Sequence, residues 1–311
     1  TIKNKQTENI KVRYQMKKTL LASALATVIF VPAVSAIEIY KDDKNTVAIG
    51  GWMDARIMNT QGETNVMNGA SRINFAFDRN MGNNWQTFAK FEWSVNPFGS
   101  SEIVYNSDSK LEYENKEFLN NRLGYAGLSH DEYGSLAIGK QWSLWYLDVV
   151  GATNLVNTWD GNTSGTYTYN KGDGSVNGTG RGDNTVQYRN TIGDFGFGLQ
   201  VQLKHDKATI GNGVNNPGPF DVVGTTDTIE VIEFNQTIGG SVTYAVTDKL
   251  TLAAGVNYGE FEATQRSGQK LSETDSIYGL SMTYGGFEQL GFYASVNINQ
   301  NEFHDTDNIG R

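Results

Sequence analysis

From residue 72 the chain alternates strictly. Ile73, Phe75 and Phe77 are apolar, and Arg72, Asn74 and Ala76 fill the gaps. After a polar break at 80–84 the pattern restarts, with Ala89, Phe91 and Trp93 set against Lys90 and Glu92. Period-two alternation predicts β-strands with one apolar and one polar face. The same pattern predicts eleven strands, near 45–57, 70–79, 85–96, 118–129, 134–142, 182–192, 196–205, 237–247, 249–261, 275–285 and 289–301. In the 250–258 stretch the apolar set is Leu250, Leu252, Ala254, Val256 and Tyr258; in 290–298 it is Leu290, Phe292, Ala294, Val296 and Ile298. Between them stand mostly Gly, Ser, Thr, Asn and Ala, residues suited to a wetted surface rather than a packed interior.

The connections alternate in length. Short ones fall at 80–84, 130–134, 193–195, 247–249 and 285–289; long ones fall at 58–69, 97–117, 143–181, 206–236 and 262–274. A soluble sandwich has no reason to gather its long loops at one end. A transmembrane barrel does, with tight turns on the periplasmic side and long loops outside. The apolar stripe then meets lipid, and Arg72, Lys90 and Glu92 face a watery lumen. Asp54 and Arg56, on the predicted 45–57 strand, share that side. In lipid such a sheet must close, because every backbone polar group needs a partner.

The chain's start supports export. Residues 16–36 begin with Met16-Lys17-Lys18, continue as an apolar run and end at Val34-Ser35-Ala36, the plan of a cleavable signal peptide. Residues 1–15 read as an upstream extension without structural character, and 37–311 as the barrel. The chain has 25 basic and 34 acidic residues. Residues 1–36 hold six basic residues and one acidic residue, so the exported part carries a net −14. That balance argues against nucleic-acid binding, which runs on basic patches. There is no cysteine, and three scattered histidines offer no metal cluster. No cofactor is expected.

Three stretches carry a resemblance. Residues 38–43 (EIYKDD), 121–141 (NRLGYAGLSHDEYGSLAIGKQ) and 181–202 (RGDNTVQYRN, then GFGLQVQ) resemble the general diffusion porins of Gram-negative outer membranes. The resemblance covers essentially all of 37–304. It implies a sixteen-stranded antiparallel barrel, usually a homotrimer, set among outer-membrane lipid and lipopolysaccharide. It also implies a third loop folded into the pore and passive passage of ions and small hydrophilic solutes. By the same resemblance Arg72, Arg122 and Arg181 match the basic wall of the constriction. The opposing acids match poorly: residues 157–161 read NTWDG, and Asn154 replaces an aspartate. Asp160, with Asp148 as second candidate, is expected to supply the negative side. Eleven strands against sixteen predict that five lie beyond Arg311.

Two other functions compete with the channel. A barrel enzyme needs a base beside a nucleophile or an activated water. His130 sits in a predicted periplasmic turn, and neither His205 nor His304 has a serine or acidic dyad beside it. A sugar-selective channel would explain the aromatics Trp142, Trp145, Tyr146, Trp159, Tyr167 and Tyr169, but such rings also pin a loop to a wall. The Arg-Gly-Asp at 181–183 reads as a wall arginine and a strand start. Residues 101–118 read as a solvated acidic loop.

Overall fold

The computed structural model describes residues 36–60, 63–69, 71–98, 101–105, 110–114, 118–150, 178–203, 207–209, 212–213, 216–217, 229–265, 268–285 and 292–301. Twelve strands follow one another across a single antiparallel sheet: β1 (Ile37–Lys41), β2 (Asn45–Trp52), β3 (Arg72–Gly82), β4 (Trp85–Val95), β5 (Leu119–His130), β6 (Gly134–Trp142), β7 (Arg181–Ile192), β8 (Phe195–Gln202), β9 (Ile229–Thr247), β10 (Leu250–Gln265), β11 (Lys270–Tyr284) and β12 (Phe292–Asn301). Each pairs with its sequence neighbours, and Lys207–Thr209 adds a short strand beside β9.

All eleven predicted strands are present. One more, β1, occupies the segment read as the start of the exported chain. The turns at one end are tight. Asn83 and Asn84 adopt φ of 52° and 63°, the left-handed pair that a two-residue hairpin turn requires. Between β1 and β2 the carboxylate of Asp42 accepts from the Lys44 and Asn45 amides at 2.8 and 2.6 Å and from the Tyr40 hydroxyl at 2.7 Å.

Three boundaries differ from expectation. The predicted 45–57 strand ends at Trp52, and Ala55–Thr60 instead pairs with Glu63–Asn68 as a separate hairpin. Ser101–Tyr105 and Lys110–Glu114 form a second hairpin inside the expected solvated loop. The two join edge to edge in a four-stranded sheet through the parallel pair Asn68↔Glu102. The third difference is height. β9 starts at Ile229 rather than 237, and β10 and β11 run on until only 266–269 separate them, where a loop of 262–274 was expected. Backbone pairing needs no apolar face, so a strand continues where its alternation no longer marks it. At 19 residues β9 is far longer than the roughly 9–11 that cross a bilayer.

Register carries each face across the sheet. Leu128, Leu136, Tyr188, Leu199, Gly240, Val256 and Tyr278 are successive partners along one row. Leu199 is 63% exposed there, and Leu128, Leu136, Val256 and Tyr278 are exposed with it. On the opposite face Gln187, Gln200, Gly239 and Asn257 are partners in turn. Gln200 is 1% exposed and Asn257 2%. The burial is therefore inverted relative to a soluble protein: apolar rows stand out and polar rows lie in. On the outer face Phe75–Trp93 and Phe77–Phe91 meet edge to face at 6.1 and 6.0 Å, favourable cross-strand aromatic pairs.

The face assignment has a direct check, since any introduced thiol is unique in this cysteine-free chain. In native membranes a cysteine at Phe91 or Leu252 should resist a charged maleimide and react with a lipid-soluble one. A cysteine at Lys90 should show the reverse. Equal labelling by the charged reagent at all three positions would overturn the inversion.

Candidate functional site

The polar face gathers charge near the long-loop end of β3, β4 and β5. Glu92 of β4 lies between two arginines. Arg122 Nε donates to Glu92 Oε1 at 2.8 Å, and Arg72 Nη1 stands 3.8 Å from the same oxygen. Arg72 and Arg122, predicted as neighbours in a basic wall, are thus brought together around an acid within the same wall. Together the three side chains carry one net positive charge. Lys90 lies two residues away on the same strand face and is half-buried.

Asp54 and Arg56 do not stand on a wall strand. Asp54 falls between β2 and the 55–60 strand, and Arg56 grips it through two bonds, Nε to Oδ1 at 2.9 Å and Nη2 to Oδ2 at 2.6 Å. This paired fork is the strong form of such a contact. The Arg56 guanidinium, aided by the more distant charge of Arg72, holds the Asp54 carboxyl below the usual carboxylate range.

Arg181 starts β7, where its register partner is Trp142 of β6. Its guanidinium lies 5.0 Å from the Trp142 ring centroid, and Trp142 also stacks on Tyr146 at 3.8 Å with ring planes 15° apart. Lys140 pairs with Asp183 at 2.8 Å nearby.

The segment leaving β6 turns inward and lies on the polar face. Trp145–Val150 forms one turn of π-helix. Trp145, Val149 and Val150 bury themselves with Ile277 of β11 in a small apolar cluster. The wall makes room with glycine. A Cβ at Gly198 would meet Leu144 Cδ2 at 2.6 Å, and one at Gly255 would meet Val149 Cγ2 at 2.6 Å. Such distances are inside van der Waals contact, so side chains at 198 and 255 would push the segment off.

Both stems of the loop are clasped to the wall. Gln200 Oε1 accepts from the Leu144 amide and from Gln187 Nε2, each at 3.1 Å, while Gln200 Nε2 donates to the Gly178 carbonyl at 3.0 Å. Ser143 Oγ donates to the Thr179 carbonyl at 2.7 Å. Asp148 fastens the segment further along. Arg189 Nη2 of β7 is 2.6 Å from Asp148 Oδ1, and Ser241 Oγ of β9 donates to Oδ2. Ser281 Oγ of β11 reaches the Asp148 carbonyl at 3.4 Å.

Asp148 was expected as an acid facing the arginine wall. Its side chain is instead nearly buried and engaged by Arg189 and Ser241. Asp160, the main expected acid, lies outside the described residues, as do His205 and His304. His130 stacks on Tyr133 at 4.4 Å and meets Trp85 at a tilt at 4.7 Å beside a tight turn. Arg189, Gln187 and Gln200 were not singled out from sequence. Alternation held the signal, since Gln187 and Arg189 share one parity in 185–190 while Val186 and Tyr188 hold the other.

The profile of the Gram-negative porins matches residues 22–310. The chain belongs to the Gram-negative porin family, a family of the outer membrane. Outer membrane protein F of Serratia marcescens is 28% identical over 203 residues, 61% of this chain and 47% of that protein. Outer membrane protein YedS of Escherichia coli is 27% identical over 279 residues, 87% of this chain and 69% of its own length. The chain spans about half the length of most of the curated relatives it matches. Among solved structures, the Salmonella typhi OmpF complex with daunomycin is 16% identical at a TM-score of 0.41, covering 85% of this chain and 93% of that one. The outer membrane channel DcaP of Acinetobacter baumannii is 12% identical at a TM-score of 0.49, covering 84% and 66%.

Proposed function

We propose that this chain lines a passive, water-filled channel through the outer membrane, open to ions and small hydrophilic solutes. The observation that carries the reading is the inverted burial. Rows of Gln, Asn, Ser and Thr are packed on one face while Leu199 and Leu280 stand 63% and 64% exposed on the other. Lipid outside and water inside is the arrangement in which both faces are satisfied. The segment 144–150 lies on the polar face and narrows the passage there. Arg72, Arg122 and Arg181 form the positive side of the constriction, with Asp160 as the acid facing them. Asp148, committed to Arg189, serves as a tether. The working assembly is a homotrimer in contact with outer-membrane lipid and lipopolysaccharide. It performs no catalysis and uses no cofactor or metal.

Protein purified from outer membranes should give discrete current steps in a planar bilayer. Liposome swelling should rank sugars by size alone; a single sugar out of order would favour the substrate-selective reading. In a salt gradient, Asp160→Asn should move the reversal potential toward anions and Arg122→Gln toward cations. Charges at a narrow aperture act strongly, whereas rim charges are screened within about 8 Å at physiological salt. An unmoved potential in both variants would remove these residues from the constriction.

A further inference from the structure

Trp52, the last residue of β2, has no role in simple diffusion. Its register partner is Arg72, which stands on the polar face, and the Arg72 guanidinium lies 3.8 Å from the indole centroid. Glu92 and Arg122 follow directly beyond Arg72. Trp142 makes an instructive contrast. It has both Tyr146 and Arg181 against its ring and is half-buried, a stack already filled by the chain itself. Trp52 has the guanidinium and is still 49% exposed. A broad apolar surface is therefore left wet beside a fixed row of charged groups.

We propose that Trp52, Arg72, Glu92 and Arg122 form a solute station for small organic anions that carry a flat apolar face, of which arene carboxylates are the simplest. The proposal rests on the channel reading above and names the solute class that lingers at that wall. The indole offers a surface on which a flat ring sits in an offset stack. The guanidinium edges of Arg72 and Arg122 donate toward the carboxylate, in the geometry to which planar arginine is best suited. Glu92 holds the two guanidiniums near each other and leaves a local charge of +1, which matches a monoanion. The exported part's net charge of −14 does not oppose this at close range, because charges more than about 8 Å away are screened. Neither half of the ligand suffices. Acetate has the charge without the ring, benzyl alcohol the ring without the charge, and glucose neither. The hold must also be weak, since a channel site has to release what it binds.

The test is single-channel recording with protein purified from outer membranes, titrated with sodium benzoate, sodium acetate, benzyl alcohol and glucose. Benzoate should interrupt the current at concentrations where the other three do not. Trp52→Ala should raise the half-blocking benzoate concentration roughly three- to tenfold, the range expected for losing one aromatic stack. Trp52→Phe should keep most of the block. Arg72→Lys, which preserves charge and removes the flat fork, should weaken it as well. Current steps of wild-type size in the two Trp52 variants, and a β-sheet circular-dichroism spectrum equal to the wild type's in Arg72→Lys, show that each is folded. Normal steps without benzoate block, or a block unchanged in Trp52→Ala and Arg72→Lys, would overturn the station alone. Block by glucose as strong as by benzoate would overturn the anion assignment. Absence of current steps from the wild-type protein would sink the channel reading and the station together.

Discussion

Asp148→Ala should loosen the inward-packed segment and lower the stability of the folded protein by about 3 kcal/mol, the low end for breaking a buried ion pair by removing one partner. The pair is nearly enclosed, with the Arg189 and Asp148 side chains 14% and 6% exposed. Removing the carboxylate strands the Arg189 guanidinium and leaves the Ser241 hydroxyl without its acceptor. Asp148→Asn keeps the shape and an acceptor for Ser241, so its loss should be smaller. The double change Asp148→Leu with Arg189→Met should recover most of the stability, because an apolar pair of similar volume replaces a buried ionic one at little cost. Denaturant unfolding in detergent measures all three. In a bilayer, Asp148→Ala should also give noisier and larger current steps, since 145–150 loses its side-chain grip on β7 and β9. A variant as stable and quiet as wild type would show that the apolar cluster around Trp145 holds the segment unaided.

Leu199→Arg should cost about 2–4 kcal/mol when folding is measured in lipid vesicles, the range for a cation placed on the lipid face near mid-bilayer. Leu199 is among the most exposed side chains of the wall, and in a water-soluble protein such a substitution stays within about 0.5 kcal/mol. The same position therefore separates the two media by several-fold in effect. Gln200→Leu, one residue along and on the other face, is the paired control. It removes the acceptor of the Leu144 amide and the donor to the Gly178 carbonyl, so it should disturb the loop stems rather than membrane insertion. A neutral Leu199→Arg would mean that this row does not meet lipid.

Much of the wall was legible in the sequence because a period of two is all a strand facing two media requires. Each alternating run from Ile73 to Val296 became a strand. The extensions of β9, β10 and β11 were not legible, because past the bilayer both faces meet water and the alternation stops while the backbone ladder continues. The 55–68 and 101–114 hairpins escaped for a similar reason: short polar strands look like loop. At the site, parity put Arg72, Arg122 and Glu92 on one face, but the contact of both arginines with one glutamate depends on stagger between strands, which no single run encodes. Near a basic wall, Asp148 reads from sequence as a second candidate for its opponent. Its true partner, Arg189, lies 41 residues further on and across a loop.

The reach of the Asp148 contacts also imposes a sequence in time. Wall strands pair with their neighbours in the chain, so the sheet can grow hairpin by hairpin through local encounters, the fast kind. The inward-packed segment has no such freedom. Its side-chain anchor at Ser241 lies 93 residues downstream, and its backbone anchor at Ser281 lies 133 downstream. Seating of 145–150 must therefore wait until β11 has been laid into the sheet. During biogenesis the polar face stays open while the wall is built, and the narrowing arrives late, as a separate kinetic phase that Trp145 fluorescence should report after the sheet signal has reached its plateau.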